Sequence, residues 1–199
     1  MSDPSNRILF QFRNYIFAIR ESRIKFEFMK KHNGMRPQDI VVLLKISTIG
    51  NDEWLNKDLA YSLNISASEI SEALHRCKVA RLIDSKKRKV HKKSFLEFLI
   101  YGLKYVFPTE PGAIVRGIPT AHSASPIKEH INAGGGDYVW PYANGKLRGQ
   151  EIEPLYKNLP DVVKCDQQLY ELLVIIDTIR VGRAREISIG IKELKKRIQ

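Results

Sequence analysis

The residues with the most chemistry to offer lie between positions 66 and 93. Ser66, Ser68, Ser71, Glu72, His75, Arg76 and Lys78 fall at helical spacing over a segment with a recognition-helix pattern, 67–81. Hydroxyl, carboxylate, imidazole and cationic groups are donors and acceptors of the kind that read base edges in a major groove. The run Ser85-Lys-Lys-Arg-Lys-Val-His-Lys-Lys93 follows at once, and six of its nine residues, Lys86, Lys87, Arg88, Lys89, Lys92 and Lys93, are cations. Such a run around one valine suits a basic hairpin wing over 85–93. Cations there gain by displacing counterions from backbone phosphates. A solvated charge run is the plainer reading, and only its position after the helix argues otherwise.

A second set is Arg116, His122, Trp140 and Arg148, which would line a candidate anion or effector pocket. A lone histidine in a proline-rich loop is more often structural. The five histidines show no metal-ligand spacing, and Gly134-Gly135-Gly136 lacks the strand, helix and Lys-Ser/Thr context of a phosphate loop. No Ser/His/Asp set or carboxylate pair stands out, so neither an enzyme nor a cofactor is expected. Cys77 reads as core and Cys165 as an ordinary thiol.

The elements that must position these groups have a readable grammar. Leu59 and Leu63 face inward from a first helix, and Ala60 keeps the crossing close. Asn64 suits a left-handed turn position. Ser66 caps the second helix, and Glu69 three residues on completes a capping box. Ile70, Leu74 and Cys77 then recur at i, i+4 and i+7. Upstream, Pro37, Asp39, Ile40, Leu43 and Leu44 predict a helix ended by Gly50. Downstream, Phe95, Phe98, Leu99 and Leu103 predict another with Ser94 as cap.

Four regions result. Residues 1–34 read as two or three short strands of uncertain fold, and Met35 is itself a candidate translation start. Residues 35–107 hold the helix-turn-helix grammar. Residues 108–160 carry seven of the nine prolines and read as irregular. Residues 161–199 read as a helical pair, with Leu169, Leu172, Leu173, Ile176 and Ile179 as one stripe.

The chain has 199 residues, 43% of them apolar, and a mean hydropathy of −0.28, the composition of a folded chain. No apolar run is long enough for a membrane span, and two cysteines make no disulfide framework, so a cytoplasmic protein with no membrane association is expected. The net charge is +11, and residues 1–107 carry +9 of it. A polyanion is the expected partner, nucleic acid before anionic membrane.

The string LAYSLNISASEISEAL resembles the core of winged helix-turn-helix regulators of the MarR-like type over about residues 37–107, with Asn64 where that family usually has Gly. MRPQDIVVLLKI, YVFPTEPGAIVRGIPTAHSA and VWPYANGKLRGQEIEPLY are similar to a bacterial family of helix-turn-helix, MarR-like proteins without an assigned biochemical role, from Met35 to near the C-terminus. The expected fold class is mainly α with a small β wing: a winged helix-turn-helix domain, a Pro/Gly-rich middle segment and C-terminal helices. The expected function is a transcriptional regulator binding double-stranded DNA, as a homodimer held by the Leu169–Ile179 stripe. The alternative is an interaction module with a protein partner, such as an antitoxin that neutralises a toxin.

Overall fold

The computed structural model describes residues 34–50, 52–131 and 136–198. The strands expected in residues 1–34 and the Gly134-Gly135 pair lie outside the described residues. The chain divides between Gly34 and Met35, and the elements below all lie on the Met35 side.

Helix α1 (Pro37–Ile49) starts where proline supplies a fixed φ and Asp39 accepts the Arg36 amide at 2.9 Å. Ile40, Val41, Val42, Leu43, Leu44 and Ile46 are all buried. A helix apolar on every side must be enclosed, and α1 packs against both α3 (Ala67–Val79) and α7 (Gln167–Val181). Helix α2 (Asn56–Leu63) lies between α1 and α3 in sequence and buries Leu59 and Leu63. Past α3, α4 (Lys92–Glu97) runs through a π-helical turn (Phe98–Gly102) into α5 (Leu103–Val106). Ser94 is therefore not the cap expected of it; His91 precedes the first turn. A side chain at Gly102 would press on the Phe98 ring at 3.0 Å, so the wide turn and the glycine occur together.

The segment expected to be irregular contains a sheet. Strands β1 (Ile114–Pro119), β2 (Tyr138–Pro141) and β3 (Leu147–Glu151) close on one another, β1 antiparallel to both partners and β2 parallel to β3. So small a closure brings backbones into contact. A Cβ on Gly117 would strike the Trp140 carbonyl, and one on Gly149 the Asp137 carbonyl. The glycines that look like loop punctuation are what lets these strands meet.

Helix α6 (Leu159–Val162) leads into α7, which Asp166 caps by accepting the Leu169 amide at 3.0 Å. Helix α8 (Ala184–Ile198) then folds back along α7. Leu169, Leu172, Leu173, Ile176 and Ile179 are buried by their own chain. The stripe expected to hold a dimer is intramolecular core, because α1, α5 and α8 all pack on α7. Asp177, also buried, accepts Thr120 Oγ1 at 2.9 Å, Trp140 Nε1 at 2.6 Å and an Arg180 NH at 2.7 Å. These donors satisfy a carboxylate that would otherwise be costly to bury, and they fasten the small barrel to α7. The whole is a mixed α/β unit, helical with one small sheet. Among the described residues no helix is long and apolar enough to cross a membrane.

Candidate nucleic-acid interface

Helices α2 and α3 are joined by the turn Asn64–Ser66. Asn64 sits at φ 49°, ψ 46°, the left-handed conformation expected of it, and Ile65 N donates to Ala60 O at 3.0 Å. Ser66 Oγ accepts the Glu69 amide at 3.2 Å, which is half of the predicted capping box. The other half is not made. The Glu69 carboxylate turns instead to Gln38 at 2.6 Å, Arg36 at 3.2 Å and Arg76 at 2.6 Å.

Arg76 is the main correction. Expected on the outer face, it is only 6% exposed. Its Nε and Nη2 donate to the two oxygens of Asp39, each at 2.8 Å, and Asp39 is fully buried. Hydrogen bonds to Asp39 hold the guanidinium far above its usual range against the opposing effect of burial, with Glu69 adding to them. Arg76 therefore joins α3 to α1, with its Nε and Nη2 donors taken up by Asp39 and Glu69.

The remaining α3 residues sort cleanly. Ile70, Ala73, Leu74 and Cys77 are buried, while Ser68, Ser71, Glu72, His75, Lys78 and Val79 are exposed. The second set recurs at i, i+3, i+4, i+7, i+10 and i+11, one continuous outward stripe. Ser66 is also exposed, with its Oγ 3.1 Å from that of Ser68.

The basic segment turns back on itself, but its only ladder is one isolated bridge, Ile83 to Val90. Asp84 organises the turn: its Oδ1 accepts the amides of Arg88 at 2.6 Å and Lys89 at 2.9 Å, and its own amide donates to Lys89 O at 2.9 Å. Desolvation acts to raise the Asp84 pKa, but the amides of Lys89, Arg88 and Lys86 outweigh it and hold the carboxyl below its usual range. Arg88 differs from the lysines around it. Its guanidinium lies 4.7 Å from the Trp54 ring centroid and donates to the Trp54 carbonyl, tying the turn to the segment before α2. Trp54 is the residue that the sequence pattern missed. Lys87 is half-buried with φ 59°, whereas Lys86, Lys89, Lys92 and Lys93 are exposed. A cleft of about 600 Å³ beside the turn is lined by Asp52, Glu53 and Asp58 as well as Arg88 and Lys89. Those carboxylates make the cleft a poor seat for phosphate, which leaves the outer lysines as the cationic surface.

The second candidate set divides. Trp140 is buried with its Nε1 on Asp177. His122 is buried too, with Nε2 2.8 Å from Gly136 O and its ring 4.4 Å from that of Tyr138; Nδ1 has no hydrogen-bond partner among the described residues. Arg116 and Arg148 are both exposed and lie opposite each other on β1 and β3. Among the described residues no group of three or more His, Cys, Asp or Glu side chains gathers to hold a metal. Comparison of the chain with protein-family models, with curated proteins and with solved structures finds no match.

Proposed function

We propose that the protein is a winged helix-turn-helix regulator that binds double-stranded DNA sequence-specifically, with α3 in the major groove and the 85–93 turn on the phosphates. One observation carries this reading. The outward stripe Ser68, Ser71, Glu72, His75 and Lys78 stands on a helix whose inner side is locked to α1 by Asp39–Arg76, and exposed lysines follow it directly. Rigid support and a polar stripe suit base readout, and the adjacent cations suit non-specific affinity. Arg76 supports the helix rather than reading bases, and Arg88 supports the turn.

The test is the salt dependence of duplex binding. Each phosphate contact contributes about −0.9 to the slope of log K against log salt. Replacing Lys86, Lys89 and Lys93 by Gln should flatten that slope by about 3 units and weaken all sequences alike. Absence of duplex binding at low salt, or an unchanged slope in the triple variant, overturns the reading. A protein partner is the second reading. It is favoured by Val79, an apolar residue 58% exposed at the end of the same stripe, and a stoichiometric protein co-purifying in place of DNA would support it.

A further inference from the structure

The register of β1 against β3 sets Arg116 directly opposite Arg148. Arg116 O accepts the amide of Tyr142, the residue after β2, at 3.0 Å, so the Arg116 backbone bonds toward β2 and not toward β3. Arg116–Arg148 is then a non-hydrogen-bonded pair, in which the two side chains leave one face of the sheet at their closest, about 4.5 Å between Cα atoms. Both are exposed, and neither has a carboxylate partner among the described residues. Lys146, two residues before Arg148, is likewise exposed and without a counter-charge among them. Like charges set directly opposite each other oppose strand pairing.

The strands cannot slip to relieve this. Gly117 follows Arg116 and Gly149 follows Arg148, and each glycine is held where a Cβ would strike the backbone of β2 or of the residue before it. A one-residue shift would bring a side chain into that contact. The barrel thus holds two forked cations side by side with no counter-charge among the described residues. Paired guanidinium forks match the oxygens of a phosphate, which accepts two parallel hydrogen bonds from each fork and supplies the missing charge.

We propose that Arg116 and Arg148 form a phosphate-binding site, separate from the α3 stripe, that takes the phosphate of either a free phosphorylated small molecule or a nucleic-acid backbone. The site does not depend on the proposed DNA reading, although one of its two phosphate sources does. The full-length chain is heated with inorganic pyrophosphate and, at matched ionic strength, with sodium chloride. For a free-phosphate source, pyrophosphate raises Tm beyond the chloride control, and Arg148→Gln or Arg116→Gln weakens the apparent pyrophosphate affinity by about tenfold, the scale of losing one bidentate charged contact. Arg148→Glu, which places a carboxylate opposite Arg116, abolishes the response while leaving Tm without ligand equal or higher at low salt. For a backbone source, wild type shows no pyrophosphate response, and the double change Arg116→Gln with Arg148→Gln flattens the duplex salt slope by about 2 units. If neither the pyrophosphate response nor the slope depends on these residues, the proposal is overturned. A wild-type chain that fails to bind duplex sinks the regulator reading alone, and the pyrophosphate arm then decides this one.

Discussion

Removing the charge of Asp39 gives the sharpest test of how α3 is held. Asp39→Asn keeps the shape but faces Arg76, 2.8 Å away at both contacts, with a neutral amide. It also disturbs the Arg36 amide that Asp39 Oδ2 accepts at 2.9 Å. Breaking a buried ion pair by deleting one partner costs about 3–5 kcal/mol, because the other charge stays buried. Glu69, 2.6 Å from Arg76 and 29% exposed, keeps part of the compensation, which places the loss near the lower end, about 3 kcal/mol. For a chain of this size each kcal/mol moves Tm by about 2–4 °C, so Asp39→Asn should melt about 6–12 °C lower. The double change Asp39→Leu with Arg76→Met replaces the pair by apolar groups and should recover much of that loss. In the same double variant, discrimination between cognate and random duplex should survive, since Arg76 faces α1. Differential scanning calorimetry and competition binding read the two effects. A Tm within about 1 °C of wild type for Asp39→Asn would refute the lock. Relaxed discrimination at one base pair, in a double variant with intact stability, would return Arg76 to the reading face.

Other perturbations follow from the same geometry. Burial pushes the Cys77 thiol well above its usual range, whereas Cys165 is exposed; an aromatic disulfide reagent should titrate one thiol in the native chain and the second only after unfolding. Gly117→Ala sets a Cβ against the Trp140 carbonyl in a closed barrel, and should cost about 3 kcal/mol or more in urea denaturation; a loss below about 1 kcal/mol would show that the strands can part there. Hydrogen bonds from Lys196 and Arg197 hold the Glu193 carboxyl below its usual range. Its contribution should be complete above the unfolded value of about 4.3 and fade as pH falls through the lower folded value. The Tm gap between wild type and Glu193→Gln should therefore close on acidification, and a gap that is constant with pH would remove that contribution.

The parts of the fold that were legible in the sequence are those set by near neighbours. Leu59, Leu63, Ile70, Leu74 and Cys77 are buried as their spacing requires, and Asn64 is left-handed because the chain must turn there. The parts that were not legible depend on distant partners. Arg76 lies beside the buried positions 73, 74 and 77 on its helix, and a charged residue there defaults to solvent unless a carboxylate awaits it; its carboxylate, Asp39, is 37 residues away. Glu69 left the capping box for the same arginine. The strands of the barrel hide behind glycines and prolines that usually mark loops. The Leu169–Ile179 stripe pointed to a dimer, and only the packing of α1, α5 and α8 on it shows it to be core of its own chain.

A basic composition says how many cations there are, not which of them face a partner. Arg76, Arg88, Arg180 and Arg197 are engaged within the chain, with Asp39, the Trp54 carbonyl, Asp177 and Glu193 respectively. Each of these arginines uses its fork to reach a fixed internal acceptor, a task the planar guanidinium performs well. Lys86, Lys89 and Lys93 face solvent on flexible stems, as mobile phosphate contacts should. Arg81, Arg183 and Arg185 are exposed and likewise have no side-chain acceptor among the described residues, but Arg116 and Arg148 differ in being set directly opposite each other by a strand register. Two cations set opposite each other by the register, with no counter-charge among the described residues, are a more specific sign of an external anion than the net charge, and they could be recognised only once that register was known.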